Sequence, residues 1–321
     1  MEAVIRDITG ELDVSFSSPE EFGRIALGWL TEGVQALAAG ISEEILAGPP
    51  LKPYWHEGLI QEEDPRFHPE VPPLWGEIRI VYPSRTGGYG QYAKPYSKTS
   101  LRRLEALSGE LNKAIVSLQR WAGDGFVIHD LEVHREGRGN GHARPMVTVP
   151  AHEDLDASCP EVTFMREYCA GHAVAFGHVS ARGRGLPGET DLERALNRQT
   201  WTSLAEWDRY LRGYSWVTVV PAVLAARLGG VGALRGSGAF AVVNEVAGGS
   251  VWLQATRRWS EWAGDQAVVD RVFEVLAPVL PPGMPEPGDP LAPPEPDKPQ
   301  EIIPYLLSLR DAADFHAGAE K

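Results

Sequence analysis

The passage LRGYSWVTVVPAVLAARLGG, from Leu211 to Gly230, places the tightest limits on the fold of this chain. Its run SWVTVV is rich in β-branched residues, which is typical of a strand. Pro221 fits the first turn of a helix, where its missing N–H costs nothing, and the pair Gly229–Gly230 ends that helix. A strand and a helix this close together predict a domain in which helices pack directly on a sheet.

The same order of elements occurs twice. From Gly76, the strand GEIRIVYPS precedes a helix that we expect from Ser100 to about Trp121, and the runs GFVIHDLEVHRE and ARPMVTVP then form a hairpin. From Ser215, the strand and the helix described above precede a hairpin of AFAVVNEV and SVWLQATRR. The apolar stripe that indicates the first of these helices consists of Leu104, Leu107, Leu111, Ile115 and Leu118. We therefore predict an α+β fold: a mixed or antiparallel sheet with helices packed on it, built from two strand–helix–hairpin units.

Three further helices are indicated by their caps and their periodicity. Ser18 precedes Pro19 and a helix over residues 19–38, and Asp265 caps the last long helix. Another helix is expected from Asp191 to Leu211.

Composition divides the chain into three regions. Residues 1–75 hold the N-terminal helix and an irregular, proline-rich connection, and residues 76–283 form the α+β core, with 76–170 and 171–283 as two similar halves. Residues 284–321 are a tail rich in proline and acid, with a short helix in its last part.

Charge and cysteine content exclude several classes of protein. The chain has 44 acidic and 30 basic residues and a net charge of −14, which argues against general nucleic-acid binding and fits a basic protein partner. Its two cysteines are too few for a disulfide scaffold. The N-terminal MEAVIRDITGELDVSF has no apolar signal core, and the longest apolar run is too short for a membrane span. We expect a cytoplasmic protein with no membrane partner.

Titratable residues are crowded between Asp124 and His178. In HDLEVH, strand alternation places His129 and His134 on opposite faces, so they cannot share a metal ion. One face of this strand carries Asp130, Glu132 and His134. These side chains could relay a proton or form a solvated surface. No metal site is predicted, because no tight ligand pattern occurs.

Cys169, with His172 and His178, offers a thiol and two candidate bases. The run EYCAGHAVAFG is more typical of a helix end that enters a buried strand, with a structural thiol. The glycine-rich runs GRGNGHARP and ARGRGLPG do not join a strand to a helix as phosphate sites do, so no cofactor is predicted.

Tryptophans suggest a binding surface. Trp259 and Trp262 in RRWSEWAGD are expected in an exposed loop, beside the acidic Glu261 and Asp265. Exposed tryptophans ringed by charge are typical of interface centres, so we predict that these four residues contribute to binding. The alternative is that the rings pack in the core, which is the more common fate of tryptophan.

The segment from about residue 170 to 283 resembles type VI secretion immunity proteins associated with VRR-type nuclease toxins. The resemblance is carried by Arg212, Gly213 and Trp216 at the start of a strand, by Leu228–Gly230, by Gly248–Gly249 ahead of Gln254–Ala255, and by Ala277–Pro278 with Pro281. It implies a non-enzymatic protein that neutralises a toxin, such as a basic nuclease, by direct binding.

Two other hypotheses remain open from the residues. One is an enzyme of unfamiliar class that uses the cluster at His129–His134, or Cys169 with His172 and His178. The other is a scaffold whose proline-rich segment 281–299 binds a partner.

Overall fold

The computed structural model describes residues 7–51, 72–84, 87–123, 126–136, 141–150, 155–182, 189–286 and 306–316. They divide into two compact units. The first unit comprises Thr9–Pro150 with Thr163–Met165, and the second comprises Met1–Ile8, Ala151–Val162 and Arg166–Lys321.

The first unit is a sheet with helices against it. Its strands lie in the order β3-β2-β4-β5-β6-β1, and the pairs from β3 to β6 are antiparallel. Its elements are β1 (Asp7–Phe16, of which Asp7 and Ile8 count with the second unit), α1 (Pro19–Leu37), α2 (Ala39–Ala47), β2 (Leu74–Pro83), β3 (Tyr89–Pro95), α3 (Lys98–Leu107), β4 (Lys113–Trp121), β5 (Phe126–Glu136) and β6 (Gly141–Pro150).

Helix α1 begins where its caps predict and packs on one face of this sheet. The Ser18 hydroxyl accepts from the Glu21 N–H, with Pro19 in the first turn. Trp29 is fully buried, and its Nε1–H donates to the Met146 carbonyl at 3.1 Å. Gly33 lets the Leu131 side chain come so close that an added Cβ would lie 2.4 Å from it. The helix therefore covers the sheet face that carries Leu131.

Two glycines of α1 lead to opposite expectations. A Cβ on Gly23 would lie 2.4 Å from the backbone oxygen of Ser108, whereas a Cβ on Gly28 meets nothing closer than 3.6 Å. We expect Gly23→Ala to destabilise the protein by about 1–3 kcal/mol, because backbone must move to admit the methyl group. The control Gly28→Ala should stabilise it by about 0.5–1 kcal/mol, since alanine favours the helix. Urea unfolding of both variants measures the difference, and equal effects would contradict this close packing.

The predicted helix from Ser100 to Trp121 is wrong beyond Leu107. A single 3-10 turn (Ser108–Glu110) follows α3, and the chain then forms strand β4. Along β4, Ala114, Val116 and Leu118 are buried and alternate with half-exposed residues, which is the two-residue period of a strand. The helical stripe arose because leucines happen to continue the three- and four-residue spacing of α3 across the turn.

The second unit carries a smaller sheet with strands in the order β7-β8-β10-β9, all antiparallel. Every residue of β8 and of β10 is buried, as expected of strands covered on both faces. Its elements are α4 (Pro160–Gly171, of which Thr163–Met165 count with the first unit), β7 (Val174–Arg182), α5 (Asp191–Ala195), α6 (Thr200–Ala205), β8 (Val217–Val220), α7 (Ala222–Arg227), α8 (Gly230–Gly236), β9 (Val242–Glu245), β10 (Val251–Gln254), α9 (Trp259–Ala263), α10 (Gln266–Leu276) and α11 (Ala313–His316).

The predicted helix from Asp191 to Leu211 is also wrong, because the chain forms two short helices, α5 and α6. Between them, Asn197 adopts a left-handed backbone conformation with φ of 50°. Asparagine is among the few residues that enter this region readily, and a residue there interrupts a right-handed helix.

The α+β class with an antiparallel sheet is confirmed, as are the hairpins β5–β6 and β9–β10 and the Asp265 cap, which accepts from the Ala267 N–H at 2.9 Å. Strand β1 and most of helix α4 were not predicted. The proline-rich segment 281–299 lies outside the described residues beyond Glu286. Within the described ranges, no helix combines the length and the apolar character that crossing a membrane requires.

Candidate functional site

The tryptophans that sequence suggested as binding anchors are core residues. Trp259 and Trp262 lie on helix α9 rather than in a loop, and only 6% and 0% of their surfaces are exposed. Trp259 packs edge-on against Trp216, with ring centroids 6.2 Å apart, and Trp262 packs against Tyr214 at 6.5 Å. The prediction of an exposed loop is wrong, because a three-residue spacing on a helix turns both rings to the same, inward side.

The two acidic residues near these rings, Glu261 and Asp265, bind backbone groups close to them in the sequence. The Glu261 carboxylate accepts from the Arg258 N–H at the start of α9, and Asp265 caps α10. Both side chains therefore satisfy backbone donors at helix N-termini, which their charge also favours.

Cys169 and its neighbouring histidines belong to the second unit. The Cys169 thiol is fully buried, and burial raises its pKa well above its ordinary value. His172 ends α4, where its ring stacks on Tyr168 at 4.1 Å and its Nδ1 lies 3.1 Å from the Tyr168 carbonyl oxygen. His178 is buried in β7 opposite Thr218 of β8. A thiol that stays protonated at neutral pH is a poor nucleophile.

Strand β5 separates its histidines as predicted. His129 pairs with the buried Leu118, on the face covered by α1, whereas Asp130, Glu132 and His134 point to the opposite face. This opposite face of the first unit's sheet is called the polar face here. Its acidic and basic side chains on β1, β2, β4, β5 and β6 include Glu11, Asp13, Glu77, Arg79, Lys113, Asp130, Glu132, His134, Glu136 and Arg144.

Ion pairs link most of these charges across strands. Oε1 of Glu132 contacts both Nζ of Lys113 and Nε2 of His134. Arg144 lies 3.3 Å from Oε1 of Glu136 and 3.8 Å from Oε1 of Glu11, and the Glu11 side chain is almost fully buried. Strands β4, β5, β6 and β1 therefore carry one compensated cluster, in which positive and negative side chains lie next to one another.

His134 is electrically neutral in this cluster. Its burial, together with the positive charges of Lys113 and Arg144, lowers its pKa from 6.5 to about 3, although Glu11 acts in the opposite direction. A neutral imidazole can still donate its Nε2–H to Glu132. Its pKa lies too far from neutrality for efficient proton transfer near pH 7.

No protein-family model, curated protein or solved structure matches the chain. The resemblance to immunity proteins therefore stays a prediction. In the part of the chain that the structure describes, no group of three or more histidine, cysteine or carboxylate side chains is arranged to hold a metal ion.

The cluster makes stability depend on pH. The folded chain binds a proton at His134 less readily than the unfolded chain, so protonation favours unfolding. The contribution of the neutral His134 to the free energy of unfolding is complete above pH 6.5 and is lost as pH falls toward 3. Between pH 8 and pH 5, we expect the free energy of unfolding of the wild type to fall by about 2 kcal/mol more than that of His134→Gln. The difference should grow by about 1.4 kcal/mol for each pH unit below pH 6.5. Urea unfolding at each pH measures this, and parallel profiles of the two proteins would contradict the lowered pKa.

Sequence reasoning missed Lys113, Arg144 and Glu11. Lys113 was placed in a helix, so its position opposite His134 across β4 and β5 was hidden. Arg144 also lies opposite His134, on β6, and the predicted β5–β6 hairpin could have shown this had a register been assigned. Glu11 lies on the strand that was not predicted.

The residues that carry the resemblance build a buried ion pair in the second unit. Nε and Nη2 of Arg212 donate to the two carboxylate oxygens of Glu193 at 2.9 and 3.0 Å. Glu193 also accepts from the Thr190 N–H, and the Thr190 hydroxyl donates to the Arg212 carbonyl at 3.1 Å. A Cβ on Gly213 would lie 2.7 Å from the Thr190 hydroxyl oxygen, so glycine permits this approach. The motif is structural.

Proposed function

We propose that this chain is a cytoplasmic, non-enzymatic immunity-type protein that neutralises a toxin by direct binding, and that its polar face takes part in the contact. The observation that carries the proposal is the compensated cluster on that face. The carboxylates of this cluster contact its cations and its neutral imidazole, and these contacts fix the positions of the side chains. Such an arrangement suits a preorganised binding surface better than an acid–base site.

Charge supports a basic partner such as a nuclease. Among the polar-face charges that are not buried, the carboxylates of Glu77, Asp130, Glu132 and Glu136 outnumber the cations of Arg79 and Lys113. The whole chain carries a net charge of −14. An acidic surface speeds association with a basic protein and disfavours acidic competitors.

Co-expression with a candidate toxin from a neighbouring gene tests the proposal. We expect the wild type to restore growth and to copurify with the toxin. The double variant Glu77→Lys with Asp130→Lys should weaken binding by tenfold or more, chiefly through slower association at low salt. The matched control is Glu32→Lys with Glu43→Lys, which reverses two exposed charges on α1 and α2, away from the polar face.

Failure to rescue growth together with failure to copurify would refute the immunity function. Rescue that the polar-face variant leaves unchanged would instead refute the placement of the contact.

A further inference from the structure

Strand β3 is an edge strand with unused backbone groups. It is the last strand of the order β3-β2-β4-β5-β6-β1, and among the strands that the structure describes it pairs with β2 alone. The Tyr96 N–H donates to the Gly76 carbonyl, so the antiparallel alternation directs the even-numbered residues of β3 toward β2. The N–H and C=O groups of Gln91 and Ala93 therefore point outward, and no described residue bonds to them.

Exposed cations lie on this edge strand and on the helix that directly follows it in the chain. Lys94 is at the end of β3, and Lys98, Arg102 and Arg103 lie on the outer side of α3, whose Leu104 and Leu107 face inward. Among the described residues none of the four cations forms an ion pair, although the chain as a whole is strongly acidic. We call Lys94, Lys98, Arg102 and Arg103 the basic flank.

The other side of the edge is aromatic. Tyr89 and Gln91 point to the polar face, and 68% of the Tyr89 surface is exposed. A strand added beside β3 would alternate its side chains between the face that carries Lys94 and the face that carries Tyr89. Acidic residues suit the first side and apolar residues suit the second.

We propose that β3 and the basic flank dock an extended, acidic segment of a partner protein by strand addition. The outward backbone groups supply the hydrogen bonds, and the basic flank selects the charge of the segment. A second copy of this chain is a poor occupant, because antiparallel pairing of β3 with itself would bring two basic flanks together. Lysine on an edge strand is a known device against such self-pairing.

Fluorescence anisotropy with the full chain and a labelled peptide tests this proposal without any toxin. The probe is a peptide as long as β3 in which glutamate and valine alternate, and a lysine–valine peptide is its control. We expect the wild type to bind the acidic peptide alone, and to bind it less tightly as salt is raised.

Proline variants separate strand addition from simple charge attraction. Gln91→Pro removes an outward N–H, and edge strands tolerate proline at such positions, so the fold should persist and binding should fall at least tenfold. Ala93→Pro repeats the test at the second outward N–H, and Gln91→Thr is the control that keeps the donor. Arg102→Glu with Arg103→Glu should also lower binding at least tenfold, whereas Arg24→Glu, an exposed charge reversal on α1, should not.

Three outcomes would overturn the proposal. The first is no preference of the wild type for the acidic peptide, and the second is full binding by both folded proline variants. The third is a concentration-dependent dimer of the free chain that Gln91→Pro abolishes, since a second copy would then occupy the edge.

Discussion

Arg212→Ala should destabilise the protein by about 3–5 kcal/mol. Arg212 and Glu193 are 1% and 0% exposed, and two hydrogen bonds join the guanidinium to the carboxylate. Removing the arginine leaves a carboxylate in the interior without its cation, and the free energy needed to desolvate that charge is then uncompensated. The variant also loses the contact of the guanidinium with the Phe176 ring, whose centroid lies 5.2 Å away.

Urea unfolding of two further variants isolates the cause. The double variant Arg212→Met with Glu193→Gln keeps an acceptor for the Thr190 N–H but removes both charges, so it should be clearly more stable than Arg212→Ala. Arg120→Ala breaks an exposed ion pair with Glu44 and should lower the free energy of unfolding by less than about 1 kcal/mol. If Arg212→Ala were as mild as Arg120→Ala, the pair would not be buried in solution.

The sequence predicted the helices and strands whose first and last residues are marked by capping residues, prolines or glycines. Helix α1 has a serine cap and a proline, and the hairpin β9–β10 has a glycine loop between two β-rich runs. Strand β4 lacked such marks, because its leucines continue the stripe of α3 across the Ser108–Glu110 turn. Periodicity alone cannot place that boundary when both periods fit the same residues.

The candidate site was predictable only in part. Alternation along one strand correctly separated His129 from His134, since that argument needs no neighbour. The charges that fix the state of His134 come from β1, β4 and β6, so finding them requires strand order and register. The sequence left the burial of Trp259 and Trp262 open for a related reason: a five-residue helix between polar residues gives too short a pattern to show its inward side.

Trp262→Ala should destabilise the protein by about 3–5 kcal/mol, because it leaves a large cavity in the core of the second unit. Trp262 is fully buried and lies edge-on to Tyr214, whose hydroxyl accepts from the Ser308 N–H at 2.8 Å. The cavity would therefore also loosen the contact that ties the segment 306–316 to this core. Thermal and urea unfolding measure the loss of stability.

The control for Trp262→Ala is Trp201→Ala, which removes a tryptophan that is 70% exposed on helix α6 and should change stability by less than about 0.5 kcal/mol. The pair of variants also separates the two roles that a tryptophan in this chain could have. If Trp262→Ala left the fold intact and weakened binding of the toxin, the ring would be an interface anchor rather than part of the core. The burial of Trp262 leads us to expect the reverse, with loss of binding only as far as the folded protein is lost.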